Sequence, residues 1–275
     1  MSHDQRILEA RELYKPVVKK FQKRRIVTLG IDNLWAADLL IMTKFAKENA
    51  GYKYILNVID TFSKFVWAQP LKKKDAVSVS NAFETIIKRA RKNNHESCDL
   101  LHVDKGREFV NSKFKSMLNK YNIKMYHTEN EEKSAIVERF NRTLNEKLKF
   151  HFHINNNFRW TNILQPILDT YNNTFHHTIQ FTPSQVNKTN EKEILQKQYI
   201  KTAQHIRIDF NVGDRVRITK AKKVFTNKYS TNWTREIFLI DKIIYSDPVT
   251  YKLRDLRGEP IIGSFYKKEL LKTQL

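Results

Sequence analysis

One cysteine, Cys98, is all the sequence holds, so internal disulfides and any metal site built from several thiolates are excluded. Long apolar runs are also missing. No stretch reaches the roughly 20 residues that a membrane span needs, and the N-terminus, MSHDQRILEARELYK, is no secretory leader. Acidic charge is scarce: 29 Asp and Glu stand against 50 Lys and Arg, a net charge of +21. That imbalance says nothing of the fold, but it favours polyanionic partners. Nucleic acid comes first. An anionic membrane surface is the weaker alternative, because no long basic amphipathic helix stands out. An intracellular, reducing setting fits the cysteine usage, and secretion is not expected.

What is present suffices for real cores. The chain has 275 residues, 40% hydrophobic and 12% aromatic, enough for one ordinary domain and a small one. Residues 1–25 read as a basic helical arm ending in KPVVKKFQKRR, either solvated or lying on a DNA backbone. A core is expected over 26–187. LWAADLLIM, YKYILNVID and KFVWAQPL read as a three-stranded meander. DAVSVSNAFETIIKRARK has helical spacing, and DLLHV, VNSKFKSMLNKY and IKMYHT complete a βαβ unit. A polar loop, TENEEK, precedes a long helix from Ser134 to about His151, and a second helix spans about Phe158–Phe175. Residues 188–210 read as a linker helix. From 211 to 273 the texture is all-β, as for a separate five-stranded barrel.

Three acidic positions raise a chemical question. Asp38 is the only charge within LWAADLLIM, and a charge at a strand centre is costly to bury unless paired or bound to metal; an edge strand with Asp38 facing water is the alternative. Asp104 ends the apolar run LLHV and is followed by Lys105-Gly106. The carboxyl edge of an open α/β sheet collects ligands, although Asp before Gly is also ordinary turn chemistry. Glu138 lies on the long helix SAIVERFNRTLNEKLKF, whose apolar stripe is Ile136, Phe140, Leu144 and Leu148. Asn141, Arg142 and Asn145 share its polar face, and a surface pair of Glu138 with Arg142 is the plainer reading. Asp60, before Thr-Phe-Ser, is best explained by Asx-turn bonding. If the first strand lies beside DLLHV, Asp38 and Asp104 become neighbours and the long helix can bring Glu138 alongside. Three such oxygen ligands repel one another without cations. Mg²⁺ suits them, and two ions can clamp a phosphodiester displacement. A basic protein with such a cluster suits phosphoryl transfer on DNA or RNA.

LWAADLL around Asp38, LLHVDKGREFVNSKF around Asp104 and SAIVERFNRTLNEKL around Glu138 resemble the retroviral-type integrases of the ribonuclease-H-like superfamily. The 34-residue interval from Asp104 to Glu138 and the stretch YNNTFHHTIQFTPSQV add to the likeness, which spans about residues 30–190. The wording GYKYILNVIDTFSKF is most similar to integrases of Polinton/Maverick transposons. The resemblance implies an α/β, ribonuclease-H-like fold: a five-stranded mixed sheet flanked by helices, with its first three strands antiparallel and two more parallel to the first. A small SH3- or chromo-like barrel follows many such cores.

It also implies that Asp38, Asp104 and Glu138 hold two Mg²⁺ or Mn²⁺ ions and process, then join, DNA ends. Glu129, Glu131 and Glu132 are rival third ligands. Lys105, Lys133, Asn141, Arg142 and Lys149 are candidate DNA contacts in the core, and Arg215, Arg217, Lys220, Lys222 and Lys223 in the barrel. Element ends and target DNA are the implied partners, with homo-oligomers on DNA and work in the nucleus or a virion. A histone-tail cage from Phe225, Tyr229, Trp233, Phe238 and Tyr245 is conceivable, but core packing explains those aromatics more cheaply. Members usually begin with a zinc module of two histidines and two cysteines. This sequence departs from that pattern and reads as shortened or diverged upstream. The rival readings are a non-enzymatic DNA or chromatin binder and a ribonuclease-H-type nuclease without joining activity.

Overall fold

The computed structural model describes residues 2–18, 21, 28–93, 95–126, 135–199, 208–220, 230–246 and 248–275. In chain order the elements are α1 (His3–Leu13), β1 (Leu34–Ile41), β2 (Tyr54–Asp60), β3 (Val66–Leu71), α2 (Ala76–Ala90), β4 (Leu100–His102), α3 (Ser112–Lys120), β5 (Lys124–Tyr126), α4 (Ala135–Asn155), α5 (Leu164–Asn172) and α6 (Glu191–Tyr199). They continue with β6 (Arg215–Ile218), β7 (Phe238–Ile244), β8 (Thr250–Arg254), β9 (Pro260–Tyr266) and β10 (Leu270–Lys272). The chain forms two compact units, one of residues 26–202 and one of residues 1–25 with 203–275.

The larger unit is built on a sheet of order β3-β2-β1-β4-β5. β1, β2 and β3 pair antiparallel, whereas β4 and β5 run parallel to β1. This is the ribonuclease-H-like arrangement expected. The alternation of β1 and β2 feeds two separate cores. Trp35, Ala37, Leu56 and Val58 pack with α2 and α3, through Phe83, Ile86 and Phe114. Ala36, Ile55 and Ile59 pack on the opposite face with Phe140, Leu144 and Leu148 of α4 and Ile167 of α5. Both faces are covered, which is why these strands read as nearly unbroken apolar runs.

Polar side chains close what strands and helices leave open. β3 is an edge strand, and Asn172 on α5 covers it, accepting from the Val66 amide at 2.9 Å and donating to the Val66 carbonyl at 3.0 Å. Side-chain Asn172 thus stands in for the missing strand neighbour. Asn49 is buried and holds two segments together. It donates to the carbonyls of Phe45 and Phe158 and accepts from the amides of Trp160 and Thr161.

Three expectations shift. α5 occupies 164–172 rather than 158–175, because residues 158–161 are bound to Asn49 in an extended turn. The stripe of α4 is wider than expected: Val137, Asn141 and Phe152 join it, while Ile136 is half-buried and packs against the same cluster. In the stretch read as a linker helix, α6 covers 191–199, and Ile194 packs with Ile31, Phe62, Ile179 and Val186.

The smaller unit carries a second five-stranded sheet of order β10-β6-β7-β8-β9, antiparallel throughout. Its core is Phe210, Val216, Phe238, Ile240, Tyr251 and Leu253. α1, opened by a Ser2–Gln5 capping box, belongs to this unit. Glu12 of α1 pairs with Arg217 at 2.8 Å and accepts from Thr273 Oγ1, and the carbonyl of Lys15 accepts from Trp233 Nε1.

Candidate active site at the carboxyl ends of the central strands

β1 is buried over its first half and opens to solvent toward its end. Asp38 stands at that transition, half-buried. β4 pairs with β1 in parallel register, Leu34 with Leu100 and Ala36 with His102. Asp38 lies two residues beyond the last paired position on β1, and Asp104 two residues beyond the end of β4, so both follow the paired segment toward the same end of the sheet. Asp104 is exposed, and its Oδ1 accepts from the Gly106 amide at 2.9 Å, an Asx turn that carries the chain away from the sheet edge.

α4 ties onto this edge through Asn141. Its Nδ2 donates to Asp38 Oδ2 at 2.7 Å, and its Oδ1 accepts from Asn57 Nδ2 at 2.7 Å. Asn57 is the residue opposite Asp38 in the β1–β2 register. The other oxygen of Asp38 accepts from the Leu39 amide at 2.8 Å. Glu138 lies three residues before Asn141, near the start of α4, and is exposed. Positions three apart share a helix face, so Glu138 occupies the face of α4 that Asn141 turns toward Asp38. Aspartate and glutamate oxygens suit hard divalent cations such as Mg²⁺ or Mn²⁺, but the ligand oxygens of Asp38, Asp104 and Glu138 do not all lie within 4.8 Å of one another.

The expected DNA contacts separate into groups. Lys105, Arg142 and Lys149 are exposed, as are Arg215 and Lys220. Asn141 is not a surface group: it is 9% exposed, with its amide engaged at both ends. Arg217 is 1% exposed. Its guanidinium is used by Glu12 and by the carbonyls of Thr234 and Arg235. Strand alternation puts Arg217 on the face of β6 opposite Val216, where Glu12 and the 234–235 segment cover it, a burial that a run of basic residues does not reveal. Lys133, Lys222, Lys223, Glu129, Glu131 and Glu132 lie outside the described residues. So do two of the aromatic-cage candidates, Phe225 and Tyr229. Trp233 and Phe238 are buried, and Tyr245 is exposed.

A second acidic cluster escaped the sequence reading. Among the described residues, one group of three His or Asp ligand atoms lies within 4.8 Å: Asp32, Asp60 and His95. All three are buried, toward the amino end of β1. Their oxygens are already engaged. Asp32 accepts from Trp35 Nε1, from the Glu96 amide and from His95 Nδ1 at 2.7 Å. Asp60 accepts from the amides of Phe62 and Ser63, the Asx turn expected of it. Burial pushes the Asp60 carboxyl above its usual range, and the nearby His95 opposes that. Saturated in this way, the cluster is a clasp joining the segments before β1 and β4 to the end of β2. No spacing signal announces it, because its members are far apart in sequence.

Comparison with known proteins accords with this geometry. The integrase core domain family matches residues 30–132, a span that includes Asp38 and Asp104. A transposon-derived protein of Caenorhabditis elegans is 29% identical over 198 residues, 72% of this chain and 66% of that protein. The chain therefore spans about two thirds of the length of this curated relative. Among solved structures, a chain of the simian T-cell lymphotropic virus intasome in complex with PP2A regulatory subunit B56 gamma matches with a TM-score of 0.64 at 16% identity, over 98% of this chain and 90% of that one. The magnesium complex of the HTLV-2 integrase catalytic core domain, in its trimeric form, gives 0.49 at 21% identity, over 58% of this chain and 99% of that one. Residues 30–132 are thus similar to the integrase core domain family, and the strand order and flanking helices accord with that match.

Proposed function

We propose that this protein is a metal-dependent DNA integrase of a mobile element, of the Polinton/Maverick kind, acting in the nucleus or a virion. Asp38, Asp104 and Glu138 would hold two Mg²⁺ or Mn²⁺ ions. Bound there, the cations supply activation of the attacking oxygen and charge stabilisation of the leaving one. The chain's own residues do the rest. Asn141 and the Leu39 amide fix the orientation of the Asp38 carboxylate. The Asx turn at Asp104 directs the following Lys105 onto the surface beside the acidic edge. Lys105, Arg142 and Lys149 neutralise phosphates of the bound DNA. In the first reaction water would attack a phosphodiester near a DNA end and release its 3′ oxygen as a hydroxyl; in the second that 3′-hydroxyl would attack a target phosphodiester and displace the target's own 3′ oxygen. No side chain forms a bond to DNA in either.

The observation that supports this reading is the parallel β1–β4 pairing, after which Asp38 and Asp104 follow at the same end of the sheet, together with the bond from α4 to Asp38. The β-rich smaller unit is read as an SH3- or chromo-like barrel that adds DNA affinity through Arg215 and Lys220, and the protein as a homo-oligomer on DNA. The test is joining of a 3′-hydroxyl oligonucleotide to plasmid in Mg²⁺. Asp104→Asn and Glu138→Gln are expected to abolish joining while leaving DNA binding intact. Joining that survives either substitution overturns the assignment, and cleavage without recombinant joints favours a nuclease.

A further inference from the structure

The face of β2 toward α4 is apolar except at one position. Ile55 and Ile59 are fully buried in the cluster with Phe140 and Leu144. Between them, at the same alternation, stands Asn57, 0% exposed. Its Nδ2 reaches Asn141 Oδ1 at 2.7 Å, whereas its own Oδ1 is buried and finds no hydrogen-bond partner among the described residues. A polar side chain that leaves one of its atoms unsatisfied in an apolar layer weakens the fold relative to Leu or Val. Its presence calls for a reason other than packing.

That reason is the direction of the hydrogen bonds. An ionised carboxylate only accepts, so Asn141 must turn its NH₂ toward Asp38 and its oxygen toward Asn57. The reverse amide orientation would aim Asn141 Oδ1 at a carboxylate. Asn57, donating to that oxygen, favours the first orientation over the second. We propose that Asn57 is a positioning residue: through Asn141 it holds the Asp38 carboxylate in the pose that binds a divalent cation. The inference rests on the reading of Asp38 as a cation ligand. Outer partners of this kind orient ligands that they never touch.

The test is a double-substitution cycle on the full chain, read by isothermal titration with Mg²⁺ alone and by thermal denaturation. Asn57→Leu keeps the branched outline and the heavy-atom count and removes the amide. It is expected to keep or raise the melting temperature, because the unsatisfied carbonyl disappears, while weakening Mg²⁺ binding by about tenfold. In an Asn141→Ala background the same substitution is expected to leave Mg²⁺ affinity unchanged, because the intermediary is gone. Asn57→Ser removes the amide without adding bulk, and it decides the matter if the leucine variant does not fold. Wild-type Mg²⁺ affinity in these variants, or an equal loss in both backgrounds, overturns the inference. Asp38→Asn separates the two claims. If it loses Mg²⁺ binding while Asn57→Leu does not, only the role of Asn57 fails. If it binds Mg²⁺ like wild type, the carboxylate reading fails and takes the role of Asn57 with it.

Discussion

Asn141 Nδ2 and Asp38 Oδ2 lie 2.7 Å apart, a bond that fastens the helix bearing Glu138 to the strand bearing the first aspartate. Removing the amide takes from Asp38 Oδ2 the donor on α4 and from Asn57 Nδ2 its acceptor. Asn141→Ala is therefore expected to lower strand transfer by about 10- to 100-fold and stability by about 1–3 kcal/mol. DNA affinity should stay within a factor of about two, because the side chain is buried and its donors face inward. Strand-transfer rates, urea midpoints and filter binding on the same preparation check the three outcomes together.

Arg217 and Glu12 form the buried ion pair of the smaller unit, with side chains 1% and 11% exposed. Truncating one partner of such a pair leaves the other charge uncompensated. Arg217→Met is expected to cost about 3–5 kcal/mol, and adding Glu12→Leu should restore at least half of it, since desolvation offsets much of a buried pair's attraction. Calorimetry of the full chain would show this as a lowered transition that recovers in the double variant. Lys220 behaves differently because it is exposed. Lys220→Ala should change stability by less than about 0.5 kcal/mol and reduce the salt slope of DNA binding by about one phosphate contact.

How much of this was legible before the fold is clearest residue by residue. The strands around Asp38 and Asp104 were readable because burial on both faces makes an apolar run, and because a charge inside such a run is rare. The order of the sheet followed from the resemblance, not from the spacing. Asn141 was misread as a surface group because an asparagine on the polar side of a helix looks solvated; only the strand positions of Asp38 and Asn57 give it partners. The stripe of α4 was readable in the right phase through Phe140, Leu144 and Leu148, and it widens to take in Val137 beside the half-buried Ile136. Asn172 sits in the YNN stretch noted for its family wording, yet its work of covering the edge of β3 needs a partner 106 residues away. Asp32 and His95 left no trace, since a long-range polar clasp has no period.

Asn49 offers a stringent check on the packing around α4 and α5. It is 1% exposed, and its amide bonds four backbone groups of two segments more than 100 residues apart in part. Asn49→Ala would strand the amides of Trp160 and Thr161 in the interior. A loss of about 2–4 kcal/mol is expected from several unsatisfied groups at once. Asn49→Asp should keep the bonds to those amides and lose the two to carbonyls, so its cost should fall between wild type and alanine. Chemical denaturation of the three proteins orders them, and an alanine variant as stable as wild type would contradict the account.

His176 gives the larger unit a specific response to acid. Burial of its ring, with the positive charges of Lys64 and Arg139 adding to it, lowers the imidazole to about 4 from an ordinary value of 6.5. The ring nitrogen Nδ1 accepts from the Thr178 amide, which the neutral form alone can do. The folded state therefore takes up this proton less readily than the unfolded chain. The stability linked to the neutral ring is complete above pH 6.5, declines as the pH falls toward about 4, and is lost below that. Because the residue is only half-buried, the contribution is on the order of 1–3 kcal/mol, less than the full separation of the two values would give. His176→Gln cannot take up a proton. Its urea midpoint, compared with wild type at pH 7 and pH 4.5, should be lower or equal at the first and relatively higher at the second. Two stability curves that run parallel across that interval would show that the ring is not held neutral.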